Sequence, residues 1–202
     1  MKNLNEIFNE YGGDKGTYFV HEGTTENIAH GYTEVYEKFM EKYRNKEINM
    51  LEIGLWCPYF PGSSVKAWDK YFSKFNYYGI DIVDCKQLSS DRINIDIVDQ
   101  KNEKQLENYL KDKPDFKFII DDGCHEEDAI TISLGTLFDK LESGGIYFIE
   151  DLHVVDKTRL YKLKDKKFDS KFISKEKIKY INENIKECYF DCNDKLCIII
   201  KK

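Results

Sequence analysis

Two acids, a glycine, a thiol and an imidazole follow one another at Asp121-Asp122-Gly123-Cys124-His125, directly behind an apolar run from Phe116 to Ile120. Carboxylates beside an imidazole can hold a cation or move a proton. A short run rich in Ile and Phe, closed by Asp-Gly, reads as a buried strand ending at a turn. In an open α/β sheet the carboxyl ends of the strands are where ligands bind. One of these acids could instead cap the helix expected to begin near Glu126. The pair together with His125 fits that lesser role poorly.

Four more acidic positions close expected strands: Glu52, Asp81, Asp99 and the pair Glu150-Asp151. Five strands ending in acids line one rim of a sheet with carboxylates. Such a rim suits ribose hydroxyls, an amino group or a metal, because carboxylates accept hydrogen bonds and bind hard cations. It suits a bare phosphate poorly, and there is no Gly-x-x-x-x-Gly-Lys-Ser/Thr. Gly54 is followed by Leu55, Trp56 and Cys57, with no further glycine until Gly62. The dinucleotide fingerprint is therefore missing after the first strand, which leaves an NAD-linked oxidoreductase, or a non-catalytic cofactor binder, as the runner-up. Adenosine carried on a cationic sulfonium has no phosphate to cradle.

The elements that must position these groups follow from hydrophobic patterning. Strands are expected at Ile48–Ile53, Tyr77–Ile80, Ile93–Val98, Phe116–Ile120 and Ile146–Ile149. Between them the pattern predicts helices from Thr33, from Val65 to Phe75 with Ser63 or Ser64 as N-cap, and from Lys101 to Leu110. A further stripe runs through Ile130, Leu134, Leu137, Phe138 and Leu141 and is expected to stop at Ser143-Gly-Gly145. A loop with two prolines spans 55–64. Two runs around Asn193-Asp194, Cys188–Phe190 and Leu196–Ile200, predict an antiparallel edge hairpin. Alternating strands and helices predict an α/β, Rossmann-like fold with a mostly parallel sheet. One domain is expected: an N-terminal helical lid segment over 1–45, a cofactor-binding core over 46–152, and an acceptor-side segment with the hairpin over 153–202.

Hydrophobic residues make up 41% and charged residues 34% of the 202, which suits a globular chain. The net charge of −6 argues against a nucleic-acid partner. No apolar run reaches the length of a membrane span, and Met1-Lys-Asn-Leu-Asn5 lacks a signal peptide's apolar core, so a cytoplasmic location is expected. The six cysteines form no Cys-x-x-Cys pair; zinc at Cys188, Cys192 and Cys197 is conceivable, but reduced, partly buried thiols are the expectation. Residues 154–186 are rich in lysine in an otherwise acidic chain. They read as a solvated basic face, or as contacts to an acidic or phosphorylated acceptor.

The succession Leu51-Glu-Ile-Gly54, Tyr78-Gly-Ile-Asp81, Asp99-Gln100, Ile120-Asp-Asp-Gly-Cys-His125 and Gly144-Gly-Ile-Tyr-Phe-Ile-Glu-Asp151 resembles the class I S-adenosylmethionine methyltransferases. Within them it is most similar to the metal-dependent sugar O-methyltransferases of macrolide biosynthesis and the cephalosporin-hydroxylase-like group. Gly13-Asp-Lys15 and His30-Gly-Tyr32 with Tyr36-Glu37 resemble that group's opening motif. The resemblance implies a seven-stranded sheet, S-adenosylmethionine and a divalent metal, most simply Mg2+, and a sugar-type small-molecule acceptor. It assigns Glu52 and Gly54 to the methionine end of the cofactor pocket, Asp81 to the ribose, and Asp99 with Gln100 to the adenine. Asp121, His30 and Lys15 join the cofactor side. Asp122, Glu150 and Asp151 become metal ligands, and His125 the general base beside Asp122.

The chain departs from the family pattern at Cys124, where serine is usual, and in the glycine-poor loop after Gly54. Residues Leu152 to Lys186 have no counterpart in it. His153 is expected on an exposed loop. Whether the chain forms homo-oligomers is left open by the sequence.

Overall fold

The computed structural model describes residues 2–20, 25–56 and 61–202. Residues 57–60 of the proline loop expected before Ser63, Cys57 among them, lie outside the described residues. Seven strands form one sheet in the order β3-β2-β1-β4-β5-β7-β6. They are β1 (Ile48–Ile53), β2 (Phe75–Asp81), β3 (Ile93–Ile97), β4 (Phe116–Asp121), β5 (Leu141–Ile149), β6 (Ile185–Asp191) and β7 (Leu196–Lys201). The first five run parallel, and β7 inserts antiparallel between β5 and β6. The order reverses between β1 and β4. That is the switch point where open α/β sheets bind ligands.

One face of the sheet is covered by α1 (Leu4–Tyr11), α2 (Tyr32–Met40) and α3 (Ser63–Tyr71), the other by α4 (Glu103–Leu110), α5 (Glu127–Leu137) and α7 (Lys175–Asn184). The first core is aromatic: Phe8 meets Trp68 edge-on with ring centres 4.9 Å apart, and Tyr36 meets Phe148 at 4.8 Å. Such edge-to-face pairs add to the burial of the rings themselves. The second core is mostly aliphatic, with Leu106, Ile130, Leu134 and Ile181 against β4 and β5. The one-turn helix α6 (Thr158–Tyr161) leads from β5 toward α7. Among the described residues no helix is long and apolar enough to cross a membrane.

Three local expectations are corrected. The helix expected over 65–75 ends at Tyr71, because Phe72 is already extended and Phe75 begins β2. Its N-cap is Gly62 in a left-handed conformation (φ +68°), not a serine; Ser64 donates instead to Glu52 at 3.0 Å. Ser143-Gly-Gly145 does not stop α5, which ends at Leu137. Leu141 already pairs with Phe116, so these residues belong to β5, where Gly144 adopts φ +65° beside a shift of strand register. α1 falls within the N-terminal helical segment expected over 1–45, its start fixed by a reciprocal cap between Asn3 and Glu6. With α2 it packs on the sheet through Leu4, Ile7, Phe8, Val35 and Tyr36, which carries the Gly13–Gly16 turn to the rim of the switch point.

Candidate active site

The loop after β1 is pressed against the loop after β4. Gly54 adopts φ +86°, and a Cβ there would stand 1.9 Å from the Asp122 carbonyl oxygen. Its N–H donates to Ile80 (3.0 Å), and the Asp122 N–H donates to Ile53 (3.0 Å). Asp81 at the end of β2 organises the same loop: its Oδ2 accepts from the N–H groups of Leu55 (2.7 Å) and Trp56 (2.9 Å), its Oδ1 from Val83 (2.8 Å). Gly54, Asp81, Asp99 and Gln100 line a cavity of about 520 Å³ walled by Trp56, Ile82, Val83 and Val98. Apolar walls with a few carboxylates suit a nucleoside.

Gln100 lines this cavity, but Asp121 does not. The Asp121 carboxylate lies behind, accepting from Gln100 Nε2 (2.6 Å), the Tyr147 hydroxyl (3.3 Å) and the Ser133 hydroxyl. Burial pushes its pKa up to about 6 against those hydrogen bonds. Gln100 Oε1 in turn accepts from the Cys124 N–H at 2.9 Å, so Asp121 steadies the turn that carries His125. A serine at position 124 would leave this backbone bond unchanged.

A second cavity of about 240 Å³ adjoins the first at Gly54, Trp56, Asp122 and Gly123, and is lined also by Asp14, Lys15, Ser63, His125 and Asp151. Lys15, 3% exposed, is its cationic floor. The ammonium pairs with Asp122, with Glu150 at 2.8 Å, and stands 3.8 Å from Glu52. Burial opposes its charge, yet the three carboxylates outweigh it and hold the Lys15 pKa well above the ordinary value. Burial raises the pKa of Glu52, Asp122 and Glu150 in spite of Lys15, with the neighbouring Asp151 adding to the effect on the last two. Glu52 is sealed beneath Ser64 and the Tyr77 hydroxyl, and so is Glu150 beneath the Tyr36 hydroxyl. Neither Glu52 nor Glu150 lines the cavities. Lys15, expected on the cofactor side, pairs with these acids and lines the smaller cavity.

One set of ligand atoms that converges is that of Asp122, His125 and Asp151, all within 4.8 Å of one another. Glu150, expected in that set, is turned to Lys15 and Tyr36. His125 Nε2 stands 3.7 Å from Asp122 Oδ1 and 3.7 Å from Asp151 Oδ2. Both His125 (φ 52°) and Asp151 (φ 54°) have left-handed backbones, uncommon for residues with a Cβ. Asp122 does not cap α5: Glu126 holds the cap position, without a side-chain bond. Burial lowers the His125 pKa; Asp151 works against this and Lys15 with it. Asp151 is held below the carboxylate range despite burial, by the Tyr32 hydroxyl (2.7 Å) and the imidazoles of His30 and His125. His30 lies beside Asp14 and Asp151 and does not line the larger cavity.

Tyr32 and Tyr36 were not singled out as site residues, though their motif was. Their spacing of four on one helix puts both hydroxyls on one face, and that face meets Glu150-Asp151. Asp14, part of the opening motif, lines the smaller cavity, and Trp56 lines both. His153 is half-exposed at the edge, its Nδ1 4.0 Å from Asp151. In the basic segment, Arg159 pairs with Glu127 and Lys177 with Glu103 and Glu107, while Lys162, Lys166, Lys167 and Lys175 are exposed.

No family model matches the chain. It is similar to demethylmacrocin O-methyltransferase of Streptomyces fradiae (33% identical over 126 residues, 61% of this chain and 32% of that one). It is also similar to mycinamicin VI 2''-O-methyltransferase of Micromonospora griseorubida (32% over 128 residues, 62% and 32%). The chain thus matches only about a third of the length of these relatives. Among solved structures, the methyltransferase MycE of mycinamycin biosynthesis, in complex with Mg and SAH, superposes on it with a TM-score of 0.78 at 22% identity, over 99% of this chain and 54% of MycE. The fold is the class I methyltransferase fold.

Proposed function

We propose that this chain is an S-adenosylmethionine-dependent, divalent-metal-assisted O-methyltransferase acting on a hydroxyl of a sugar or sugar-linked small molecule. The observation that carries the reading is the junction of the two cavities. An apolar, carboxylate-edged chamber opens at Gly54 and Asp122 into a polar one that holds Asp122, His125 and Asp151. The similar proteins support it: those of Streptomyces fradiae and Micromonospora are named O-methyltransferases, one of Streptomyces olivaceus is named for a rhamnosyl tetracenomycin, and MycE was solved with Mg and SAH.

The residues fit both groups. The larger cavity has the size of a nucleoside-bearing cofactor, and Asp81 and Asp99 keep lone pairs for ribose or base. Asp122 and Asp151 present oxygen atoms, the donor type that Mg2+ prefers, with His125 alongside. A cation there would stabilise the negative charge that develops on a hydroxyl losing its proton. S-adenosylmethionine would supply the methyl group at the junction. The chain's own part is to position and to take the proton. His125, kept neutral by burial, can accept it at Nε2. Lys15 keeps Asp122 and Glu150 fixed. Tyr32 orients Asp151 through one oxygen and leaves the other facing His125.

A dinucleotide is disfavoured by a specific feature. The Leu55 and Trp56 N–H groups, which would have to meet a pyrophosphate, are already bonded to Asp81. The test is a thermal-shift comparison of S-adenosylhomocysteine, NAD and Mg2+, followed by transfer of labelled methyl from S-adenosylmethionine to a panel of glycosylated acceptors. Stabilisation by S-adenosylhomocysteine and chelator-sensitive labelling are expected. Stabilisation by NAD alone, or full activity after exhaustive metal removal, would reject the reading.

A further inference from the structure

Asp151 presents a different oxygen to each of two ligand sets. Its Oδ2 faces His125 and Asp122; its Oδ1 lies 3.5 Å from His30 Nε2, and that nitrogen lies 3.7 Å from Asp14 Oδ2. The ligand atoms of Asp14, His30 and Asp151 all fall within 4.8 Å of one another, as do those of the first set. His153 stands at the edge, its ring centre 5.3 Å from that of His30 and its Nδ1 4.0 Å from Asp151 Oδ1. These nitrogen–oxygen separations are too long for good hydrogen bonds. They are near the spacing, about 3–3.5 Å, of two atoms bound to one metal at about 2.1 Å.

The geometry points to a second cation site formed by Asp14, His30 and Asp151, with His153 at its edge, joined to the first by the bridging Asp151 carboxylate. It rests on the reading that Asp122 and Asp151 hold a cation with His125 beside it. A mixed nitrogen and oxygen set suits Mn2+ or Zn2+ better than Mg2+. Charge supports it: Asp14, Glu52, Asp122, Glu150 and Asp151 gather around Lys15 as the buried cation between them.

Two of the chain's own groups bear on the second site. The Tyr32 hydroxyl donates to Asp151 Oδ1, which keeps a second lone pair. Lys195 Nζ lies 3.4 Å from His30 Nδ1. A proton donated there leaves the other imidazole proton on Nε2, aimed at Asp14 and Asp151. A metal on Nε2 requires that proton on Nδ1 instead, with Lys195 turned away. Lys195 therefore competes with the cation.

The test counts ions. The full chain is stripped with a chelator, freed of it, and titrated with Mn2+, with bound metal read by elemental mass spectrometry and by electron paramagnetic resonance. Two Mn2+ per chain with a spin-coupled signal are expected. His30→Ala and Asp14→Asn should each bind one, and Asp122→Asn one through loss of the other site. Lys195→Met should keep two, with the weaker site tightened several-fold. Circular dichroism checks folding, and Asp14→Asn, at a half-exposed side chain, is the mildest change. One Mn2+ in the wild type, or two in both His30→Ala and Asp14→Asn, would overturn the second site. Two ions surviving in Asp122→Asn but not in His30→Ala would leave the second site standing and reject the first.

Discussion

Lys15 Nζ and Glu150 Oε2 meet 2.8 Å apart, an ammonium from the N-terminal turn against a carboxylate from the end of β5, with both side chains almost sealed from water. Removing one partner of a buried pair leaves an uncompensated charge, a loss of about 3–5 kcal/mol. Lys15→Met should therefore destabilise the chain by that order in urea unfolding at pH 9, above the pKa of about 8 to which burial pushes Glu150, and Lys15→Arg by less. A methionine variant as stable as the wild type would mean that Glu150 and Asp122 fold protonated and that Lys15 is not their counter-ion.

Asp121 gives a test of opposite sign. Its folded pKa is raised to about 6 from 3.8, so the native state keeps this proton across a pH range where the unfolded chain has lost it. Stability from this group is therefore present at low pH and is lost as pH rises from about 4 to about 6, by about 3 kcal/mol. Asp121→Asn does not titrate and lacks that loss. The stability of Asp121→Asn relative to wild type should rise through this window and then level off. Parallel curves for the two proteins from pH 4 to 7 would show that Asp121 is not perturbed by burial.

The parallel strands and the acids at their ends were legible because both follow from local pattern: a short apolar run, then a carboxylate. What was not legible is which way each acid turns. Asp121 and Asp122 are neighbours in sequence, so the pleat sends one behind the sheet to Gln100 and Ser133 and the other into the cavity. Glu150 and Asp151 divide in the same manner, which is why Glu150, expected among the metal ligands, meets Lys15 instead. Lys15 itself could not be placed, since its partners lie more than a hundred residues away and only the packing of α1 and α2 brings the turn to them. The early end of α5 was missed for a related reason: Leu141 continues the helical stripe but is claimed by Phe116 across the sheet.

Asp81 is expected to serve the cofactor and the loop at once. Its Oδ2 holds the Leu55 and Trp56 N–H groups and its Oδ1 the Val83 N–H, which leaves about one lone pair for a ligand in the larger cavity that Asp81 lines. Hydrogen bonds to a charged group contribute about 1.5–3 kcal/mol. Asp81→Ala should weaken S-adenosylhomocysteine binding by that amount in calorimetry, and Asp81→Asn, which still offers one oxygen to the loop, by less. Equal affinity in wild type and alanine variant would remove Asp81 from the cofactor site.

His125 combines two properties that a single substitution can separate. Its backbone is left-handed, a conformation asparagine tolerates well. Its imidazole pKa lies below the ordinary 6.5 because of burial, with Lys15 reinforcing and Asp151 opposing the shift. A base must be deprotonated to act, so kcat should climb with pH along a limb whose midpoint is below 6.5, and stay flat through neutrality. His125→Asn keeps the turn but has no group that can take the proton. It should retain the wild-type melting temperature within a few degrees, lose the pH limb, and lower kcat by about 10²–10⁴. His125→Ala should add a loss of stability of about 1 kcal/mol from the backbone. An asparagine variant within a few-fold of wild-type kcat, or one that keeps the same rising limb, would assign the proton to another group.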